Sequence, residues 1–179
     1  FPKPTYALAP HVDAKLAAGK VGYRAGYALA NVDSVDVTLY GKGGHGAYPQ
    51  ATIDPIVMAA RFVLDLQTII SRENAPLDPA VITVGAIHAG TKHNIISDRC
   101  HLQITVRSYK PEVREKLLKA IERKAKATAE SAGAVPPKVE FADYTPALKN
   151  DEALVERLVP VFSGAIGADN VHSADQSLG

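Results

Sequence analysis

The chain has 179 residues, of which 46% are hydrophobic and 22% are charged, as in ordinary globular proteins, and this excludes wholesale disorder. Its 20 Lys and Arg residues nearly balance 19 Asp and Glu residues, which argues against a nucleic-acid-binding protein because phosphate contacts need a basic excess. No apolar run is long enough to span a membrane. Cys100 is the only cysteine, which excludes an internal disulfide and a thiolate metal cluster and predicts a reducing compartment, the cytoplasm.

The first thirty residues predict short extended segments. We expect strands at residues 5–12 and 21–30, the second of them broken by glycines. The chain begins at Phe1 and its only methionine is Met58, which indicates a fragment or a processed chain.

The middle of the chain has four segments with strand character. Val35, Val37 and Leu39 alternate with polar residues, which is typical of a half-buried strand. The four predicted strands are residues 35–40, 81–87, 100–107 and 139–141.

Two helices are predicted between these strands. The first is capped by Asp54 with Pro55 at its first position, and the second begins at Pro111 and ends before Gly133. The first helix is apolar on more than one face, which predicts either a subunit interface or a deeply buried core helix.

The resulting order over residues 34–144 is β-α-β-β-α-β. This order predicts an α+β fold of the ferredoxin-like type, with a four-stranded antiparallel sheet and two helices on one face. A further helix is predicted at residues 151–166, bent or ended by Pro160. We therefore expect three segments, a ferredoxin-like domain at 32–146 and parts of another domain at 1–31 and 147–179.

Four residues are candidates for chemistry. His45 lies in a glycine-rich loop after the first predicted strand, where glycines allow unusual backbone angles and a close approach to a ligand. Its alternative is an incidental histidine in a mobile loop. Asn94 and Arg107 together offer groups that bind a carboxylate, although each alone is also common on protein surfaces. His11, two residues before Asp13, is a candidate metal ligand, but one His and one Asp do not complete a site.

These motifs together resemble the M20 family of peptidases and amidohydrolases, and most of all its hippurate and indoleacetyl-amino-acid hydrolases. The resemblance is carried by the segments Phe1–Asp13, Gly41–Gln50, Ile53–Pro55, Gly90–Ile96 and Val106–Ser108. It implies that the ferredoxin-like domain is a lid, or dimerisation domain, inserted into a metal-binding catalytic domain.

The resemblance also implies roles for the four candidates. His11 matches a ligand of one of two active-site metal ions, zinc or else manganese, cobalt or nickel. His45 matches a lid histidine that reaches the active site of the partner in a homodimer and stabilises the tetrahedral intermediate. Asn94 and Arg107 match residues that hold the substrate carboxylate. The implied reaction is metal-dependent hydrolysis of an N-acyl amino acid, and because the other ligands and the base have no match in these residues, we expect this chain alone to be inactive.

Two other functions would suit the predicted topology. A stand-alone ferredoxin-like module that binds or senses a small molecule would explain residues 34–144 but not the flanking segments. An RNA-binding sheet of the same topology needs stacking aromatic side chains on its central strands, whereas residues 101–107 offer His, Gln, Thr and Arg, so this alternative is rejected.

Overall fold

A computed structural model describes residues 2–178 and divides them into two compact units. The first unit contains the residues up to Gly26 together with Asn150–Asp175. The second, larger unit contains Tyr27–Lys149 and the residues from Gln176 onward. The candidates His45, Asn94 and Arg107 all belong to the second unit.

The elements of the described residues are numbered in chain order. The strands are β1 (Val21–Tyr23), β2 (Gly26–Leu29), β3 (Asn31–Tyr40), β4 (Gly44–His45), β5 (Val81–Ala89), β6 (Ile95–Ile96), β7 (Arg99–Ser108), β8 (Lys138–Thr145), β9 (Leu148–Asn150) and β10 (Val171–Ser173). The α-helices are α1 (Pro55–Thr68), α2 (Pro111–Ser131) and α3 (Glu152–Ile166). A π-helical turn, Ile69–Glu73, continues α1.

The second unit is built on a four-stranded antiparallel sheet with strand order β5-β7-β3-β8. This is the strand order of the ferredoxin-like fold, so the predicted architecture is confirmed. Asn31 lies opposite Ser108 where β3 begins, and Tyr40 lies opposite Arg99 where β3 ends. We call these the Asn31 end and the Tyr40 end of the sheet.

The core of the second unit lies between this sheet and helices α1 and α2. Side chains of β3 alternate between buried and half-buried positions over the whole strand, because successive residues of a strand point to opposite faces. The largest fully buried apolar side chains are Val35, Val37 and Leu39 on β3, Pro55, Phe62 and Leu66 on α1, Ile69 on the π-helical turn, Leu102 and Val106 on β7, and Leu117 and Ile121 on α2.

Helix α1 buries only one of its two apolar stripes. Phe62 and Leu66 are 0% exposed, whereas Ile56, Val57 and Leu64 are 47%, 55% and 71% exposed. The expectation of a deeply buried core helix is therefore wrong. An exposed apolar stripe of this kind is typical of a contact surface.

Both predicted helix ends of the second unit are confirmed. The Asp54 carboxylate accepts hydrogen bonds from the backbone N–H groups of Ile56 and Val57 at 2.8 and 3.4 Å, which satisfies otherwise unpaired donors of the first turn. Gly133 follows α2 with φ at 66°, a left-handed conformation in which a side chain is strained.

The first unit contains β1, β10 and α3, with β1 and β10 paired in parallel. The strand predicted at residues 21–30 is confirmed as the two short strands β1 and β2. The prediction of a strand at residues 5–12 is wrong, because this exposed segment has no hydrogen-bonded strand neighbour among residues 2–178. Pro160 lies inside α3 and does not end it.

A membrane-crossing helix is not found within residues 2–178, since none of the helices there combines the necessary length with the necessary apolar character.

Candidate functional site

The loop that carries His45 is a hydrogen-bonded ribbon at the Tyr40 end of the sheet. Gly44 and His45 of β4 pair with Ile96 and Ile95 of β6. The N–H of Gly41 donates to the carbonyl of Asp98 at 2.8 Å. Backbone hydrogen bonds on both sides therefore fix the main chain around His45, which does not support the alternative of an unstructured loop.

The glycines of this loop allow close packing of the main chain. A Cβ atom on Gly41 would lie 2.2 Å from the carbonyl oxygen of Ile53, and a Cβ atom on Gly46 would lie 3.0 Å from the carbonyl oxygen of Asn94. Neither glycine has a positive φ. The expectation that unusual backbone angles require them is wrong, and the close approach of neighbouring backbone is the reason for their presence.

The backbone also determines which nitrogen of His45 carries the proton. The N–H of Ala47 donates to Nδ1 of His45 at 3.1 Å, so Nδ1 is the acceptor and the neutral ring is protonated on Nε2. Within residues 2–178 no hydrogen bond involves Nε2, and the side chain is exposed. His45 therefore presents one N–H donor to its surroundings.

Asn94 lies beside His45. Its carbonyl oxygen accepts a hydrogen bond from the N–H of Gly46 at 2.8 Å, and its side-chain amide has no hydrogen-bond partner among the described residues. The structure thus places Asn94 and His45 on neighbouring segments of one ribbon, and the Nε2 donor of His45 and the side-chain amide of Asn94 are both unused among the described residues.

Arg107 lies at the Asn31 end of the sheet, opposite Val32. It lies eight positions after Arg99 along strand β7, which corresponds to a distance of about 26 Å. Its Nη1 atom donates to the carbonyl of Leu178 at 2.7 Å. Arg107 and Asn94 of a single chain therefore lie far apart. For both residues to bind the same carboxylate, they would have to come from two different chains.

A cleft of about 640 Å³ borders the His45 loop. It is lined by Gly46, Pro49, Asp54, Ile56 and the turn of residues 89–93, among others. Charged residues of both signs, Asp54 and Lys92, therefore belong to the lining of a cleft that borders the loop of His45.

His11 belongs to the first unit and is exposed. Its Nδ1 atom lies 2.7 Å from the carbonyl oxygen of Val12, while the carboxylate of Asp13 accepts from the N–H of Lys15 at 2.8 Å. Within residues 2–178, no group of three or more His, Cys, Asp and Glu side chains is placed to hold a metal ion. These residues do not form a metal centre, and a metal-binding role of His11 stays a prediction.

The main polar cluster that the sequence did not predict is a buried ion pair at the Asn31 end. Asp33 is 2% exposed, and Arg114 of α2 donates to it from Nε at 2.9 Å and from Nη2 at 2.6 Å. Asn31 donates to the same carboxylate at 2.8 Å. The hydrogen bond to Asp33 raises the pKa of Arg114 above its ordinary value. The signal was present, because Asn31 and Asp33 share the inward face of β3 with Val35.

Comparison with protein families gives one match to the second unit. The family described as Peptidase dimerisation domain matches residues 27–132. An N-acetyldiaminopimelate deacetylase of Bacillus velezensis is 42% identical over 123 residues, which are 69% of this chain and 33% of that protein. The same activity is given for a Lactococcus lactis protein that is 35% identical over 100% of this chain and 47% of its own length. The chain thus spans less than half of these relatives, and the flanking segments match along with the lid, which disfavours a stand-alone module.

Solved structures agree with the fold. A candidate aminohydrolase of methicillin-resistant Staphylococcus aureus superimposes with a TM-score of 0.84 at 29% identity, over 94% of this chain and 44% of the other. A dinuclear metal-binding peptidase of the M20 family from Bacillus subtilis superimposes with a TM-score of 0.72 at 25% identity, over 94% of this chain and 41% of the other. None of these proteins is described as a hippurate hydrolase, so a hippurate-like substrate is not confirmed.

Proposed function

The chain belongs to the M20 peptidase family, and we propose that it acts within a hydrolase that removes the acyl group from an N-acyl amino acid. The observation that carries the proposal is the exposed N–H donor of His45 on a backbone fixed by hydrogen bonds, with the free amide of Asn94 on the neighbouring segment of the same ribbon. The activity given for the relatives favours an acetyl group over the benzoyl group of hippurate-like substrates.

His45 would act when water adds to the carbonyl carbon of the substrate amide. The addition places negative charge on the carbonyl oxygen, and a preorganised N–H donor stabilises that charge more than the neutral ground state. The C–N bond then breaks and yields a carboxylate and a free amine. Asn94, with both a donor and an acceptor, would orient the substrate next to His45.

The separation of Arg107 from His45 supports a site built from two chains. We assign His45 and Asn94 of one chain and Arg107 of the other to the same active site. Arg107 keeps donors beyond the one used by Leu178, and a guanidinium can bind the substrate carboxylate in two parallel hydrogen bonds.

A homodimer formed through the dimerisation domain supplies the second chain. Strand β5 is at the edge of the sheet, where β7 is its only strand neighbour within residues 2–178, and an exposed edge is a template for another strand. Helix α1 packs beside β5 and exposes Ile56, Val57 and Leu64. We propose that a second copy covers this edge and this stripe.

One structural relative, from Bacillus subtilis, is described as a dinuclear metal-binding peptidase of the M20 family. Metal ions of this kind activate water and polarise the scissile carbonyl. The described residues contain no group of three or more side chains that could hold a metal ion by themselves, and we propose that His11 supplies one ligand to such a centre. The roles assigned to His45, Asn94 and Arg107 require no contact with a metal ion. The identity of the metal, zinc included, stays a proposal.

The test is the substitution His45→Ala in the whole enzyme that contains these residues, assayed on N-acetylated amino acids. We expect kcat to fall about 100- to 1,000-fold, with KM and metal content unchanged. Lys119→Ala, on the exposed side of α2 and away from the proposed interface, is the control and should keep the activity of the parent. A kcat for His45→Ala within tenfold of the parent value would falsify the assigned role.

A further inference from the structure

The cleft beside His45 carries opposite charges that do not neutralise each other. Lys92 and His93 lie on the turn that follows β5, and Asp54 lies at the start of α1. No salt bridge found among residues 2–178 involves any of these three side chains. The ammonium group of Lys92 and the carboxylate of Asp54 therefore belong to the lining of one cleft without an ion-pair partner among these residues, and the imidazole of His93 adds a hydrogen-bonding group.

The backbone fixes both walls of this cleft. Gly90 has a φ of 73°, which turns the chain directly after β5, and a Cβ on Gly90 would lie 3.8 Å from Cδ1 of Ile56. The turn that carries Lys92 and His93 therefore packs against the first turn of α1, next to Asp54.

Asp54 keeps one carboxylate oxygen for a ligand. Its Oδ1 atom accepts the two capping hydrogen bonds from Ile56 and Val57, and no described residue donates to Oδ2. The capping role therefore holds the carboxylate in place without using all of its acceptor capacity.

We propose that this cleft binds the zwitterionic end of an amino acid substrate, the end that carries a free α-ammonium and a free α-carboxylate. Lys92 and His93 bind the carboxylate, and Asp54 binds the ammonium. A purely anionic or purely cationic group would leave one wall of the cleft unpaired. The inference rests on the proposed function for the acyl amide, which lies at His45 when the other end of the same molecule occupies the cleft.

The test is a titration of the ¹⁵N-labelled 179-residue chain, followed by amide chemical shifts. The ligands are diaminopimelate, which has zwitterionic ends, pimelate, which has only carboxylates, and cadaverine, which has only ammonium groups. Diaminopimelate is expected to shift the amides of Asp54 and of residues 90–93, and to bind about fivefold more tightly than either control, the value of one exposed charge pair.

Two variants assign the charges. Asp54→Asn keeps a good helix cap and should reduce the affinity for diaminopimelate to that for pimelate. Lys92→Met should reduce it to the affinity for cadaverine. Lys119→Met, on the exposed side of α2, is the matched control and should change none of the three affinities.

Equal affinity for the three ligands, shifts confined to other regions, or an absence of binding would overturn the inference. Preferential binding of pimelate or of cadaverine would also overturn it and would show that the cleft selects a single charge. The titration involves no hydrolysis, so its failure leaves the hydrolase proposal standing. Conversely, a normal kcat for His45→Ala would remove the role proposed for His45 and leave the binding result intact.

Discussion

The two ends of the four-stranded sheet use polar side chains in opposite ways. At the Asn31 end, Asp33 is buried and both of its carboxylate oxygens accept hydrogen bonds from Arg114 or Asn31. At the Tyr40 end, His45 and Asn94 are exposed, and their side chains keep unused hydrogen-bonding groups while the main chain around them is fixed.

The difference separates a stabilising cluster from a candidate site. A buried polar group without partners costs free energy, so the groups at the Asn31 end must be paired within the chain. At the Tyr40 end, backbone hydrogen bonds provide the rigidity, which leaves side-chain atoms free for a ligand. Two predictions test this contrast directly, and two more concern the surface of α1 and an ion pair away from both ends.

The largest effect is expected at the Asn31 end. Arg114→Met should lower the free energy of unfolding by about 3–5 kcal/mol, because it leaves the buried Asp33 carboxylate without its cation. Lys119→Met, which breaks an exposed pair with Glu115 on the same helix, should change it by less than about 0.5 kcal/mol. Urea unfolding measures both variants. If Arg114→Met lost less unfolding free energy than Lys119→Met, the Asp33 cluster would not stabilise the fold.

The second effect concerns the main chain of the Tyr40 end. Gly41→Ala forces a Cβ atom to within 2.2 Å of the Ile53 carbonyl oxygen unless the backbone moves, and we expect a loss of about 1–3 kcal/mol. Gly85→Ala on β5 is the control, because its Cβ would lie 3.9 Å from the nearest atom. Thermal unfolding compares the two variants. Equal stability would mean that the ribbon is not packed as described.

The third effect is on association. Leu64 is 71% exposed on α1, and Leu64→Asp should raise the dimer dissociation constant at least about tenfold, because it places a charge in an apolar contact. The stability of the monomer should stay within about 0.5 kcal/mol of the parent. Analytical ultracentrifugation gives the constant, and an unchanged dimer would exclude this stripe from the interface.

The smallest effect is expected from an ion pair outside both ends of the sheet. The hydrogen bond from Arg123 lowers the pKa of Glu73 below 4.5 in the folded state. The ion pair therefore stabilises the fold fully when the pH is above the pKa that Glu73 has in the unfolded chain. This stabilisation is lost as the pH falls through the lower pKa that Glu73 has in the folded protein. Glu73→Gln should cost less than about 1 kcal/mol at neutral pH and should flatten the loss of stability in acid. Urea unfolding at several pH values measures the free energy of unfolding of both proteins. If this free energy falls as steeply in acid for Glu73→Gln as for the parent, the assignment is contradicted.

Local patterns in the sequence were sufficient to predict the fold of the second unit. The alternation of apolar and polar residues around Val35 and the helix cap at Asp54 involve residues that are close together in the chain. Both features can therefore be predicted directly from the sequence. The Asp33–Arg114 pair joins residues far apart in the chain, and its geometry depends on how α2 crosses β3. The separation of Arg107 from Asn94 likewise follows from the direction of β7, which residue type does not reveal. Residues 5–12 have strand composition, but composition does not provide a neighbouring strand.

The most direct test of the two-chain site is complementation between inactive variants of the whole enzyme. His45→Ala and Arg107→Ala should each be nearly inactive as homodimers. A heterodimer of the two should regain about half of the parent activity, because one of its two sites then receives an intact His45 and an intact Arg107 from different chains. Heterodimers that are demonstrably formed and yet inactive would contradict the account, since this result requires both residues of a site to come from one chain.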